Sequence, residues 1–314
     1  VTLPQFNTTV LINSIKRRCS VPTSQLTYTD SEWVELANDI LLDEVVPLIM
    51  SAREEYFVTH TDVTVPSTGV VPFPSAAIGA KLRSVCIVQQ SSPLILTNVP
   101  RLDLDVISGV NSQYGNGYGI GFYVEGNDLN FYPSTGGIAG KTVRLYFYNR
   151  TLALAAPTSY GKVTSIDTNT NTITVSRVVS GWTTGTVLNT VSGTPTFGTT
   201  NTECTIVSVS SPDIELDTVE GIVVGDYITD QGYSAIPQIP VEAHGYLAQL
   251  TAAKSLEGLG DREGMAAAQK KAEAMLPHLM TVISQRVDGS VKKIINPNGG
   301  IKLASSIGRR GLRR

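Results

Sequence analysis

Four glycines at every second position, Gly115, Gly117, Gly119 and Gly121, are the first residues that could do chemistry, since a glycine-rich loop can cradle a phosphate with backbone N–H groups. Nowhere do they give GxGxxG, so they predict a mobile or close-packed β loop ahead of a hairpin. His60, His244 and His278 stand apart, in neither HExxH nor HxH, which assigns them structural or solvated roles. Asp103 and Asp105 flank Leu104, a carboxylate pair that could bind a cation or serve a hydrolase. With no further acids nearby, that segment reads as a solvated loop. No serine lies in GxSxG. Cys19, Cys86 and Cys204 are odd in number, far apart and without a CxxC, so neither a disulfide framework nor a zinc site is expected. The expectation is a chain that is not an enzyme and takes no cofactor and no metal.

The remaining chemistry is charge. From Ser284 to Arg314 there are eight basic residues and one acid, Asp288, a formal +7. The rest of the chain keeps 16 basic and 26 acidic residues, a formal −10. An acidic body of this kind does not hold nucleic-acid phosphates. The basic segment has no apolar periodicity and is expected to be an extended docking arm. Lys292, Lys293, Lys302, Arg309, Arg310, Arg313 and Arg314 would pair with carboxylates or line the arm, while Ile301, Leu303, Ile307 and Leu312 would be its apolar anchors.

The elements that must position these residues are legible in patches. With 314 residues, 41% of them apolar, and a mean hydropathy of +0.06, the chain can bury a sizeable core. No stretch approaches 18 uninterrupted apolar residues and no leader pattern opens the chain, so neither membrane nor secretion is expected. Thr29-Asp30-Ser31-Glu32 fits a capping box. Behind it Trp33, Leu36, Ala37, Ile40, Leu41 and Val45 form one apolar stripe, with Glu35, Asp39 and Asp43 facing away. Pro47 predicts a kink or restart, and a shorter helix is expected around Thr9 to Arg18.

Prolines at 66, 72, 74, 93, 100 and 133 punctuate short strands between His60 and Arg150, including a hairpin that turns at Gly126-Asn127. From Pro157 to Gln231 a Thr/Ser/Val/Ile-rich run predicts a second β unit, a barrel or sandwich. After Pro237 and Pro240, helical signals return. Leu247, Leu250 and Lys254 mark one face of a helix that ends at Gly258, Asp261 caps the next, and Pro277 should kink it. The expected fold class is α+β. Helices from 1–57 and 236–283 form a bundle, β units at 58–156 and 157–235 are inserted in it, and an extended arm occupies 284–314.

Residues 41–57 (LLDEVVPLIMSAREEYF) resemble the second helix of the head-to-tail adaptor, or connector, proteins of tailed bacteriophages. Residues 77–83 (AIGAKLR), the hairpin from Gly121 to Leu129, 145–150 (LYFYNR), 224–228 (VGDYI), 236–242 (IPQIPVE), the helical hairpin and 286–296 (RVDGSVKKIIN) are similar in the same order. The resemblance implies a homo-oligomeric ring of twelve copies in the virion neck, assembled in the host cytoplasm. The ring would sit under the portal protein with tail or nozzle proteins attached below, and its channel would pass the genomic DNA. It also implies that the C-terminal arm reaches the portal. Two other functions stay open: a nucleic-acid-binding virion protein using Arg309 to Arg314, and a carbohydrate-binding tail component, suggested by the Thr/Ser-rich unit.

Overall fold

Local signals set the first helices. Asn7 caps α1 (Thr8–Arg18) by accepting from Val10 N–H. Thr29 and Glu32 close the expected capping box at the start of α2 (Asp30–Ile40). The chain then runs through a π-helical turn, Leu41–Val45, into α3 (Val46–Ala52), with Pro47 in its first turn. Proline has no N–H to give to the carbonyl four residues back, and its ring crowds that carbonyl. The wider turn, in which Val46 N–H reaches Leu41 O, takes up the conflict and restarts the helix instead of breaking it. The structure, a computed structural model, describes residues 6–21, 27–102, 120–132, 137–192 and 202–284.

Near the other end, α4 (Val241–Gly258) and α5 (Arg262–Ile283) form a helical hairpin, with Gly260 at φ 79° in the turn and Asp261 accepting from Gly264 N–H. The helices share one core around Trp33, Leu41, Ile49 and Leu247. α4 is its central rod and is buried on nearly every side. Along the face marked by Leu247, Leu250 and Lys254, Leu247 is buried, Leu250 half-buried and Lys254 exposed. Pro277 lies inside α5, which is assigned as a single helix to Ile283.

Between the helices the chain is β. Strands β1 (Val58–Thr64), β3 (Ala77–Ser91), β4 (Leu94–Asn98) and β7 (Thr142–Asn149) form a four-stranded sheet in the order β1-β7-β3-β4. β2 (Val70–Pro72), β5 (Gly121–Glu125) and β6 (Asp128–Tyr132) form a three-stranded one in the order β2-β6-β5. The β5–β6 hairpin turns where expected, with Gly126 at φ 62°. Val85, Leu129, Val143 and Leu145 are among the residues of a core common to the two sheets.

β8 (Ala153–Leu154) pairs in parallel with β15 (Tyr233–Ser234). A parallel pair needs a crossover of a dozen or more residues. Here the crossover holds a closed barrel of β9 (Tyr160–Asp167), β10 (Thr172–Val175), β11 (Val187–Val191), β12 (Thr202–Ser210), β13 (Asp213–Leu216) and β14 (Tyr227–Asp230). Asn171, at φ 50°, turns the chain from β9 into β10.

The expected α+β class, a helical bundle with two inserted β units, is therefore wrong. Among the described residues more positions lie in strands than in helices, and the strands fall into a closed six-stranded barrel and three further sheets. Helical stripes of period 3.6 stand out over eleven residues or more, whereas strands of two to five residues hold too few alternations to register. The strand content is therefore under-represented in the sequence pattern.

The barrel has an internal symmetry. Exchanging β9 with β12, β10 with β13 and β11 with β14 reproduces every strand pairing around the ring. The bonds agree in detail. Gly185 N–H donates to Ile206 O and Gly225 N–H to Val163 O; Ile206 N–H donates to Thr186 O and Val163 N–H to Asp226 O. Gly181-Trp182-Thr183-Thr184-Gly185 in the first half stands where Gly221-Ile222-Val223-Val224-Gly225 stands in the second. The halves meet at Ile173 opposite Ile214 on one side and at Asn189 opposite Thr229 on the other.

Candidate functional site

The arm residues Lys292, Lys293, Ile301, Lys302, Leu303, Ile307, Arg309, Arg310, Leu312, Arg313 and Arg314 lie outside the described residues. So do Asp103, Asp105, Gly115, Gly117 and Gly119. Of the alternating glycines Gly121 is described, and its position is close-packed, since a Cβ there would stand 2.6 Å from Leu102 Cγ. A second phosphate-loop fragment, Gly140-Lys141-Thr142, does occur in the sequence. Gly136 precedes it by four residues, not the five that a phosphate-binding loop requires, and Thr142 opens strand β7 rather than a helix.

The histidines are not brought together. His60 is exposed on β1, with its ring 5.5 Å from that of Tyr146. His278 is exposed on α5. His244 is buried in α4, its Nε2 3.1 Å from Pro237 O and its ring 4.8 Å from that of Phe6. Burial lowers its pKa to about 4, so it is neutral at pH 7. Cys204 is buried in the barrel and its thiol is pushed up to about 12, first by burial and then by the charge of Asp217. Burial likewise raises Cys19, whose Sγ lies 3.2 Å from Ser255 Oγ. Groups held neutral in this way pack rather than react. Among the described residues no three His, Cys, Asp or Glu side chains are grouped to hold a metal ion.

The exposed face of the four-stranded sheet is ordered by charge. Arg144 on β7 donates through Nε and an Nη to both oxygens of Asp62 on β1, at 2.7 Å each. The pair lowers the Asp62 carboxyl and raises the guanidinium. Arg83 reaches Glu55 at 3.3 Å, and Lys81 lies 4.5 Å from the centre of the Tyr148 ring.

Among the described residues, two concavities stand out. A cleft of about 690 Å³ opens where the start of β1, the segment from Asn149 to Ala153, the π-helical turn and the edge of the barrel meet, with Leu42, His60, Arg150 and Glu203 among its lining residues. In its lining Thr151 Oγ1 and Asn189 Oδ1 are buried and find no hydrogen-bond partner among the described residues. A groove of about 420 Å³ runs between the four-stranded and three-stranded sheets, walled by Leu82, Pro100 and Val124 over the buried Phe73, Val85, Val99 and Phe122 and rimmed by Lys81, Arg83 and Arg101. Sequence reasoning missed the groove, because its walls come from four separated segments. It also missed a feature with a readable signal: the second barrel repeat carries Val223 and Val224, both exposed, where the first carries Thr183 and Thr184.

No protein-family model matches the chain, and a search of the curated proteins finds no significant match.

Proposed function

We propose that this chain is a structural head-to-tail adaptor of a tailed bacteriophage. Copies form a ring in the virion neck, joined to the portal on one side and to tail or nozzle proteins on the other, and the ring leaves a passage for the genome. It works by holding its neighbours together. The observation that carries the reading is at the end of α5, where Leu279 and Ile283 are both buried in the helical core. The segment with formal charge +7 follows directly in the chain. A tether of that charge, rooted in a packed helix, fits an acidic groove on a partner, and its partner here is the portal. The resemblance of 41–57 and 236–242 to adaptor proteins adds support, since these residues form the π-turned helix and the approach to α4 in the shared core.

Truncation after Ser284 tests the reading. The shortened chain should stay soluble and helical, fail to co-sediment with purified portal, and yield filled heads without tails. Co-sedimentation of the truncated chain at the level of the full chain would refute the anchoring role.

A further inference from the structure

The duplicated barrel contains its own control. In both halves the same turn leads into the last strand, closed by the same backbone bonds, Thr186 N–H to Thr183 O in one and Asp226 N–H to Val223 O in the other. At the tip the first half shows two hydroxyls, Thr183 and Thr184, and the second shows two methyl-bearing side chains of nearly the same shape. Val223 is 62% and Val224 57% exposed, so burial within the chain does not account for the change. The turn is held firmly, because Val223 N–H donates to Asp226 Oδ2 at 2.8 Å and Gly225 N–H to Val163 O at 2.9 Å. Glu220, exposed at the base of the same turn, makes no ion pair among the described residues.

The groove between the four-stranded and three-stranded sheets has the opposite character. Its walls are apolar and its rim is cationic. Glu54 and Glu55 partly neutralise Lys81 and Arg83 on that rim. Arg101 is exposed and makes no ion pair among the described residues. The turn and the groove belong to sheets that share no strand.

We propose that the Val223-Val224 turn of one copy seats in the groove beside Leu82, Pro100 and Val124 of a second copy, with Glu220 paired to Arg101 across the contact. The inference rests on the ring reading for its occupant. The surfaces differ on the two sides of the contact, so it is head-to-tail, an arrangement that adds copies into a ring or a filament rather than stopping at a dimer. A rigid apolar knob entering a pocket, flanked by a charge pair, has the layout in which a few central residues carry most of the binding.

The test uses the full chain in sedimentation velocity over a concentration series. Val223→Thr with Val224→Thr puts the first repeat's own tip on the second turn, so the thermal midpoint should stay within about 2 °C of the parent. The parent should associate into larger species, and the Thr-Thr variant should need at least tenfold more protein to do so. Glu220→Arg and Arg101→Glu should each weaken association, and the variant carrying both should recover it. A parent that stays monomeric throughout, a Thr-Thr variant that assembles as the parent does, or a double charge reversal that fails to recover would each overturn the contact. The adaptor reading fails on a different result, no ring of the parent chain on purified portal, so the two failures are distinguishable.

Discussion

Thr186 and Asp226 occupy the same station in the two halves of the barrel and do the same work with different chemistry. Thr186 Oγ1 accepts from Thr183 N–H at 3.2 Å, and Asp226 Oδ2 accepts from Val223 N–H at 2.8 Å. Each side chain satisfies a turn amide that the strands leave over. Asp226→Thr should therefore be nearly neutral, while Asp226→Ala should cost about 1 kcal/mol by leaving that N–H without its acceptor. Urea unfolding of the two variants checks this, and equal losses would show that the turn does not use the bond.

Gly161 and Gly181 make a matched pair of tests. A Cβ on Gly161 would stand 2.5 Å from the backbone oxygen of Arg177, which cannot swing aside, whereas a Cβ on Gly181 meets nothing within 4 Å. Gly161→Ala should destabilise by about 1–3 kcal/mol through overpacking. Gly181→Ala should change little. Thermal midpoints of the two variants under one buffer decide the matter.

Acid sensitivity should pass through His244. Burial holds its imidazole at about 4 in the folded chain against 6.5 when unperturbed, so the unfolded state takes up a proton first as the pH falls. Stability is full above pH 6.5, declines between 6.5 and 4 by on the order of 3 kcal/mol, and gains no further loss from this group below that. The carboxyls of Glu32, Asp62 and Asp167, all shifted down by hydrogen bonds, act at lower pH. His244→Gln should flatten the pH 4–6.5 slope in denaturant midpoints, and an unchanged slope would assign it to another group.

The barrel should be dispensable for the helices. Its core around Ile173, Leu188, Ile206 and Ile214 is separate from theirs, and contacts of Tyr160 with Thr9 and Tyr227 with Asn7 join it to α1. Replacing the residues between Pro157 and Gln231 with a flexible linker of about ten residues should keep the far-UV helical signal and soluble expression. Losing both would show that the barrel holds the helices together.

The legible parts of the fold were those written in local chemistry. The Thr29–Glu32 box, the stripe behind Trp33, the Gly126 turn and the Asp261 cap each need only a few neighbouring residues, and each lies where its pattern predicts. α4 is harder to read, since Ala, Ser and Thr pack on nearly all its sides and leave little contrast between faces. The groove depends on residues from Phe73 to Phe122 meeting across two sheets, a long-range pairing that no local pattern encodes. The barrel repeat was present in the spacing of Gly181 and Gly185 against Gly221 and Gly225, and a search for self-similarity would have found it.

The ribosome delivers the parts of the helical core far apart in time. α1, α2 and α3 bury their apolar faces in a core whose central rod is α4, which begins at Val241, well after α3 has ended at Ala52. At roughly 5–20 residues per second, translation keeps the early helices waiting on the order of 10–40 s for that rod. Through that interval Leu11, Trp33, Leu41 and Ile49 lack the helix that completes their core. The nascent chain should thus engage a holding chaperone early and release it only after the α4–α5 hairpin has emerged.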